Sequence, residues 1–150
     1  RHAVVRDPVE HLPDKFYLHD TGLCAASPDL RAFAERVAAE GGGAVLTRLH
    51  RLMGAVHGAV AHEPGPAGSA VPAAKAFAAG SGVCQDLAHV LIAAARHIGV
   101  PARSVAGYRA RDDGQADVEA PHGWVAALVP TLGLVALAPR SAERRVGKAV

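Results

Sequence analysis

Apolar residues recur at helical spacing through the first two thirds of the chain and gather into short continuous runs in the last third. Ser27 can cap a helix, Pro28 suits its first position, and Leu30, Phe33, Ala34 and Val37 share one face before the glycines at 41–43. These predict a first amphipathic helix. Leu46, Leu49, Leu52, Met53, Val56 and Val60 predict a second over about residues 44–61, closed by EPGPAGS. His50 and His57 on it stand two turns apart, roughly 10 Å at 1.5 Å per residue, too far to share one metal, and read as solvated polar-face residues. A short helical piece at 73–79 precedes GSG at 80–82. A strongly apolar helix then runs from about 83 to 98, stopped by Gly99 and Pro101.

Beyond it the period changes. ARSVAGY (102–108) reads as a strand and RARDDGQADVEAP (109–121) as a polar loop. Residues 124–129 and 134–137 read as a hairpin joined through PTLG. The first 23 residues show no clear period, and KFYLHDTGL (15–23) is readable as an extended segment entering the domain. Helices first and strands last predict an α+β fold, with an antiparallel sheet packed against the helix that begins near Val83. No internal repeat or low-complexity tract is present.

Length and charge narrow the function classes. The chain has 150 residues, half of them apolar, which suits a single domain over 1–150 with residues 1–26 as a lead-in. A net charge of +2, scattered basic residues and few aromatics offer neither a phosphate-tracking stripe nor a base-stacking platform, so nucleic acid is not an expected partner. The longest apolar stretch, GWVAALVPTLGLVALAP (123–139), is broken by Pro130 and Gly133 and falls short of the roughly 20 residues of a membrane span. Membrane association is therefore not expected. The start has no initiating Met and no basic region leading into an apolar one, which reads as a processed boundary. Two cysteines sixty positions apart form no disulfide framework and no metal knuckle, which favours reduced thiols and a cytoplasmic setting.

The stretch GVCQDLAHV (82–90) carries the candidate chemistry. A thiolate is the nucleophilic form of cysteine, and a free thiol with a pKa of about 8.5 is mostly protonated at neutral pH. The first turn of a helix favours an anion through its unpaired N–H groups and the positive end of its dipole, and the same donors can hold an oxyanion. Cys84 stands at that turn, and Gly80 and Gly82 let the chain bend into it and let a substrate carbonyl approach. A buried, inert cysteine is the competing reading. A cysteine nucleophile also needs an imidazole. Nine histidines compete for that role. His89 and His97 share the helix of Cys84 but lie more than a turn away, whereas His122, at the start of the hairpin, can be aimed by a rigid strand. His122 is the candidate base. Cys24 is read as a bystander, and a zinc site built from Cys24, Cys84 and histidines matches no usual ligand spacing.

Together, GSGVCQDLAHVLIAAARHIGVPARSVAGY and the later HGWVAALVPTLGLVALAP closely resemble the bacterial transglutaminase-like family, whose cysteine motif, P-A-R strand and H-A-W strand stand in this order. SPDLRAFAE and HEPGPAG resemble its lead-in helices and the loop before its catalytic core. The resemblance implies a papain-like α+β core and a Cys-His-Asp triad that attacks a carboxamide or peptide carbonyl. A thioester forms and is resolved by an amine or by water. It places the nucleophile on Cys84 and the base on His122, with Gly123 for the usual alanine before Trp124. No metal or organic cofactor is implied. The expected substrate is a peptide or an amide-bearing small molecule.

One departure bears on activity. The family's acid stands in a D-P pair on the following strand, and here that pair reads Ala138-Pro139. Leu134 also stands in place of the usual tryptophan, and Arg140-Ser141 replace T-N. Removing the acid of a comparable triad costs on the order of 10⁴ in turnover, about 5 kcal/mol. Three explanations follow: a different acid from Asp112, Asp113, Asp117 or Glu119; a Cys-His dyad; or a binding module that has lost turnover. Asp86 is expected to stabilise the first turn of the Cys84 helix instead. The family commonly has a β-rich domain before this segment and a continuation after RRVGKAV, so the resemblance implies an excised or separately encoded catalytic domain. A face that the missing part covers is then available to a partner domain or to a second copy.

Overall fold

A computed structural model of the chain describes residues 4–5, 13–65, 71–110 and 116–139, with side chains over 13–65, 71–106 and 123–139. Among these residues the helices are α1 (Pro28–Ala39), α2 (Val45–Ala59), α3 (Ala73–Ala79) and α4 (Cys84–His97). The strands are β1 (Val4–Val5), β2 (Ala61–His62), β3 (Ser81–Gly82), β4 (Ala102–Ala110), β5 (Ala116–Val129) and β6 (Gly133–Leu137). A four-stranded antiparallel sheet has the order β1-β6-β5-β4, and β2 pairs with β3 in parallel.

The helices form where periodicity and capping agree. Ser27 Oγ accepts the Leu30 N–H at 3.3 Å, Pro28 occupies the first turn, and Leu30, Phe33, Ala34 and Val37 are buried. α2 buries Leu49, Leu52, Met53 and Val56. Phe33 of α1 meets Phe77 of α3 with ring centroids 5.1 Å apart. α4 is the hub: α1, α2 and α3 pack against it along with β4 and β5. Every residue from Asp86 to Ala95 is accordingly buried, as expected of a helix enclosed on all sides.

Two expectations change. Part of residues 15–23 is not extended, because a 3-10 helix spans Asp14–Leu18, with Phe16 N–H returning to the Pro13 carbonyl at 2.9 Å. The Arg103 guanidinium lies 5.7 Å from the Tyr17 ring centre, and Arg96 holds the His19 carbonyl at 2.8 Å. The polar loop expected over 109–121 is also mostly strand: Arg109 and Ala110 end β4, residues 116–121 begin β5, and Arg109 stands opposite Asp117. Backbone pairing in a two-stranded ladder needs no apolar side chain, so hydrophobic patterning does not reveal it. Asp113-Gly114 is hairpin-turn chemistry and lies outside the described residues.

Candidate active site

Cys84 is the first residue of α4, and the chain reaches it through a constrained turn. Gly80 closes α3 in the left-handed region at φ 71°, where a side chain is strained. β3 then pairs beside β2, and Val83 is extended at the N-cap position. The Asp86 carboxylate accepts the Val83 N–H at 3.1 Å, while the Asp86 and Leu87 amides return to the Val83 carbonyl at 3.0 and 3.2 Å. Asp86 thus stabilises the first turn, as expected. The amides of Cys84 and Gln85 take no part in this cap and stand in the first turn of α4.

The space beside Gly82 is taken by protein and not by substrate. A Cβ there would stand 2.8 Å from Asp86 Cβ and 2.9 Å from its Oδ2. The glycine is required by the cap. Cys84 itself is half-buried at the point where α4 leaves the core, and it forms no disulfide. Cys24 is buried, and desolvation pushes its thiol pKa up, against smaller lowering effects of a hydrogen bond from Thr21 and the charge of Arg96; Asp20 adds to the rise. The two thiols occupy different environments.

The other histidines of α4 are engaged elsewhere. His89 is buried with Nδ1 3.4 Å from the Val71 carbonyl, and His97 Nε2 lies 2.7 Å from Glu35 Oε1 at the far end of the helix. His122 lies on β5 opposite Gly107 of β4. Its side chain lies outside the described residues. Its neighbour Gly123 nevertheless locates the strand: a Cβ on Gly123 would stand 3.1 Å from Gln85 Cα and 3.3 Å from both Gln85 N and Cys84 O. The backbone that carries His122 is therefore packed directly on the turn that carries Cys84. The resemblance flagged position 123 only as a replacement of alanine, and no local pattern announced this contact.

The proposed replacement acids fare differently. Asp117 and Glu119 belong to β5, so they do not swing from a loop. At about 3.3 Å per residue they stand roughly 17 and 10 Å along the strand from His122. Asp112 and Asp113 lie outside the described residues. Ala138 is 6% exposed and Pro139 is fully buried. β5 pairs with β6 from Val129↔Gly133 to Val125↔Leu137; one further step in this register sets Ala138 beside Trp124 and makes it the diagonal neighbour of His122. Among the described residues no three His, Cys, Asp or Glu side chains group as metal ligands, and no helix is long and apolar enough to cross a membrane.

The family model described as the transglutaminase-like superfamily matches residues 31–139, which run from within α1 to beyond β6 and include both Cys84 and His122. The chain belongs to the transglutaminase-like superfamily. No curated protein sequence matches it at a significant level. Among solved structures, a candidate cysteine protease from Cytophaga hutchinsonii superposes with a TM-score of 0.63 at 23% identity, covering 95% of this chain and 53% of that one. The periplasmic domain of TgpA from Pseudomonas aeruginosa, bound to ethylmercury, gives a TM-score of 0.61 at 23% identity, covering 87% of this chain and 49% of that one. A second crystal structure of that periplasmic domain gives 0.63 at 22%, covering 86% of this chain and 47% of that one. This transglutaminase-like chain thus spans about half the length of the solved structures it matches. At these identities the likeness is one of fold, and the expected α+β, papain-like core is the fold observed.

Proposed function

We propose that this transglutaminase-like domain is a cysteine acyl-transfer enzyme acting on a carboxamide or peptide carbonyl. The observation that carries the proposal is the seat of Gly123 on the Cys84–Gln85 turn, which brings the strand of His122 against the nucleophile's helix terminus. His122 takes the Cys84 proton, and the sulfur attacks the carbonyl carbon. The Cys84 and Gln85 amides receive the oxyanion. Collapse breaks the carbon–nitrogen bond, the leaving amine takes the proton from the His122 imidazolium, and a thioester remains. Water or a second amine, deprotonated by His122, then attacks the thioester and releases Cys84 as hydrolysis or transamidation product forms. A peptide or an amide-bearing small molecule in the cytoplasm is the proposed substrate.

A second reading rests on Ala138. With an alanine at the acid position, enclosed beside buried Pro139, the domain on this reading recognises a peptide, a partner domain or a second copy without turnover. The pH dependence of iodoacetamide alkylation separates the two readings when read by peptide mass with Cys24 as the internal reference. The enzyme reading expects Cys84 to react at a pH where Cys24 does not, and expects His122→Ala to remove the difference. Equal behaviour of the two thiols, or inertness of Cys84 before denaturation, sinks it and favours binding.

A further inference from the structure

We infer that Gly123 is a positioning residue for the proposed reaction: the absence of a side chain there sets how closely the strand of His122 seats on the turn of Cys84. The inference rests on the acyl-transfer reading. The three atoms nearest a Cβ at this position are all backbone: Gln85 Cα at 3.1 Å, and Cys84 O and Gln85 N at 3.3 Å. None is a side-chain tip that can rotate away. A methyl group at 123 forces strand and turn apart by a few tenths of an ångström, since close-packed interiors hold no slack for it.

Neither partner is free to yield. Gly123 is paired with Ala106 on β4, and two residues on, fully buried Val125 is paired with Leu137 on β6. The first turn of α4 is held by the Asp86 bond to Val83 and by the tight fit of Gly82 against Asp86. The contact therefore works as a fixed spacer. Proton transfer between a thiol and an imidazole requires the two heavy atoms to stand within hydrogen-bond reach, and a misplacement of about 1 Å can cost on the order of 10²-fold in rate. With alanine at the acid position, no carboxylate at 138 orients the imidazole, so orientation depends on how its strand is seated. The glycine at 123 lets the two backbones stand at this separation where that orientation is needed.

The test compares pH profiles of Cys84 alkylation in the wild type, His122→Ala, Gly123→Ala and Val135→Ala, each against Cys24 in the same molecule. Val135 is a buried β6 residue paired with Ala127 and Val4, and its truncation reports general loosening. Gly123→Ala is expected to slow Cys84 alkylation near neutral pH by about tenfold and to move its profile toward that of His122→Ala, whereas Val135→Ala lowers Tm and leaves the profile in place. A Gly123→Ala protein with reduced Tm and a wild-type profile overturns the inference, as does an equal loss in Val135→Ala. If His122→Ala changes nothing, the acyl-transfer reading fails and takes the inference with it. Should Gly123→Ala not fold, NMR of the wild type decides: a cross-peak between the Gly123 α protons and the Gln85 amide proton is expected, and its absence overturns the spacer.

Discussion

The Nδ1 of His57 lies 3.0 Å from the carbonyl oxygen of Pro139, tying α2 to the end of β6 one residue beyond Ala138. A carbonyl can only accept, so Nδ1 carries the proton and the tautomer of His57 is set. His57 is exposed, as expected of a polar-face histidine, and the structure adds this hydrogen bond to it. His57→Ala removes one hydrogen bond worth about 0.5–1.5 kcal/mol. Calorimetry is expected to show a Tm lower by a few degrees.

Ala138→Asp restores a carboxylate at the register position diagonal to His122. Faster Cys84 alkylation at neutral pH is expected, together with recovery of part of the roughly 10⁴-fold that a triad acid contributes to turnover. The site is 6% exposed, so an unpaired carboxylate there is costly. A fall in Tm without any gain in Cys84 reactivity would show that the new acid does not reach the imidazole.

Asp86 caps α4 through the Val83 N–H and stands two residues from Cys84. Asp86→Ala is expected to lose about 0.5–2 kcal/mol, as for other N-terminal caps, and to lower Tm by several degrees. The same bond holds the turn on which Gly123 seats, so Asp86→Ala is also expected to slow Cys84 alkylation in whatever fraction remains folded. Denaturation and alkylation measured on one preparation separate the two effects.

Cys24 gives the pH dependence of stability a predictable sign. Burial raises its pKa in the folded state above the unfolded value of about 8.5. Between those two values the unfolded chain has lost the thiol proton and the folded chain keeps it, so stability falls as pH rises across that window. Below about pH 8 the contribution is fully present. Urea midpoints measured from pH 7.5 to 10.5 are expected to decline in the wild type more steeply than in Cys24→Ala. Parallel curves would remove Cys24 as the cause.

Local pattern determined much of this protein. The caps and apolar stripes of α1 and α2, the short α3, the start of α4 at Cys84 and the hairpin through Pro130 were legible because helix periodicity, capping and turn chemistry act over a few neighbouring residues. The placement of Cys84 at a helix start and of His122 on a strand marked them as candidates, and the order of the cysteine, P-A-R and histidine motifs supplied the family. Tertiary structure alone decided the rest. The pairing of β1 with β6, the long β4–β5 arm, the bond from His57 to Pro139 and the seat of Gly123 on Gln85 all join residues distant in sequence. Such contacts are made largely by backbone atoms, which every residue carries alike. A glycine in the sequence permits a close approach but does not say which atoms approach it; only the packed fold names Gln85 as the neighbour of Gly123 and Asp86 as that of Gly82.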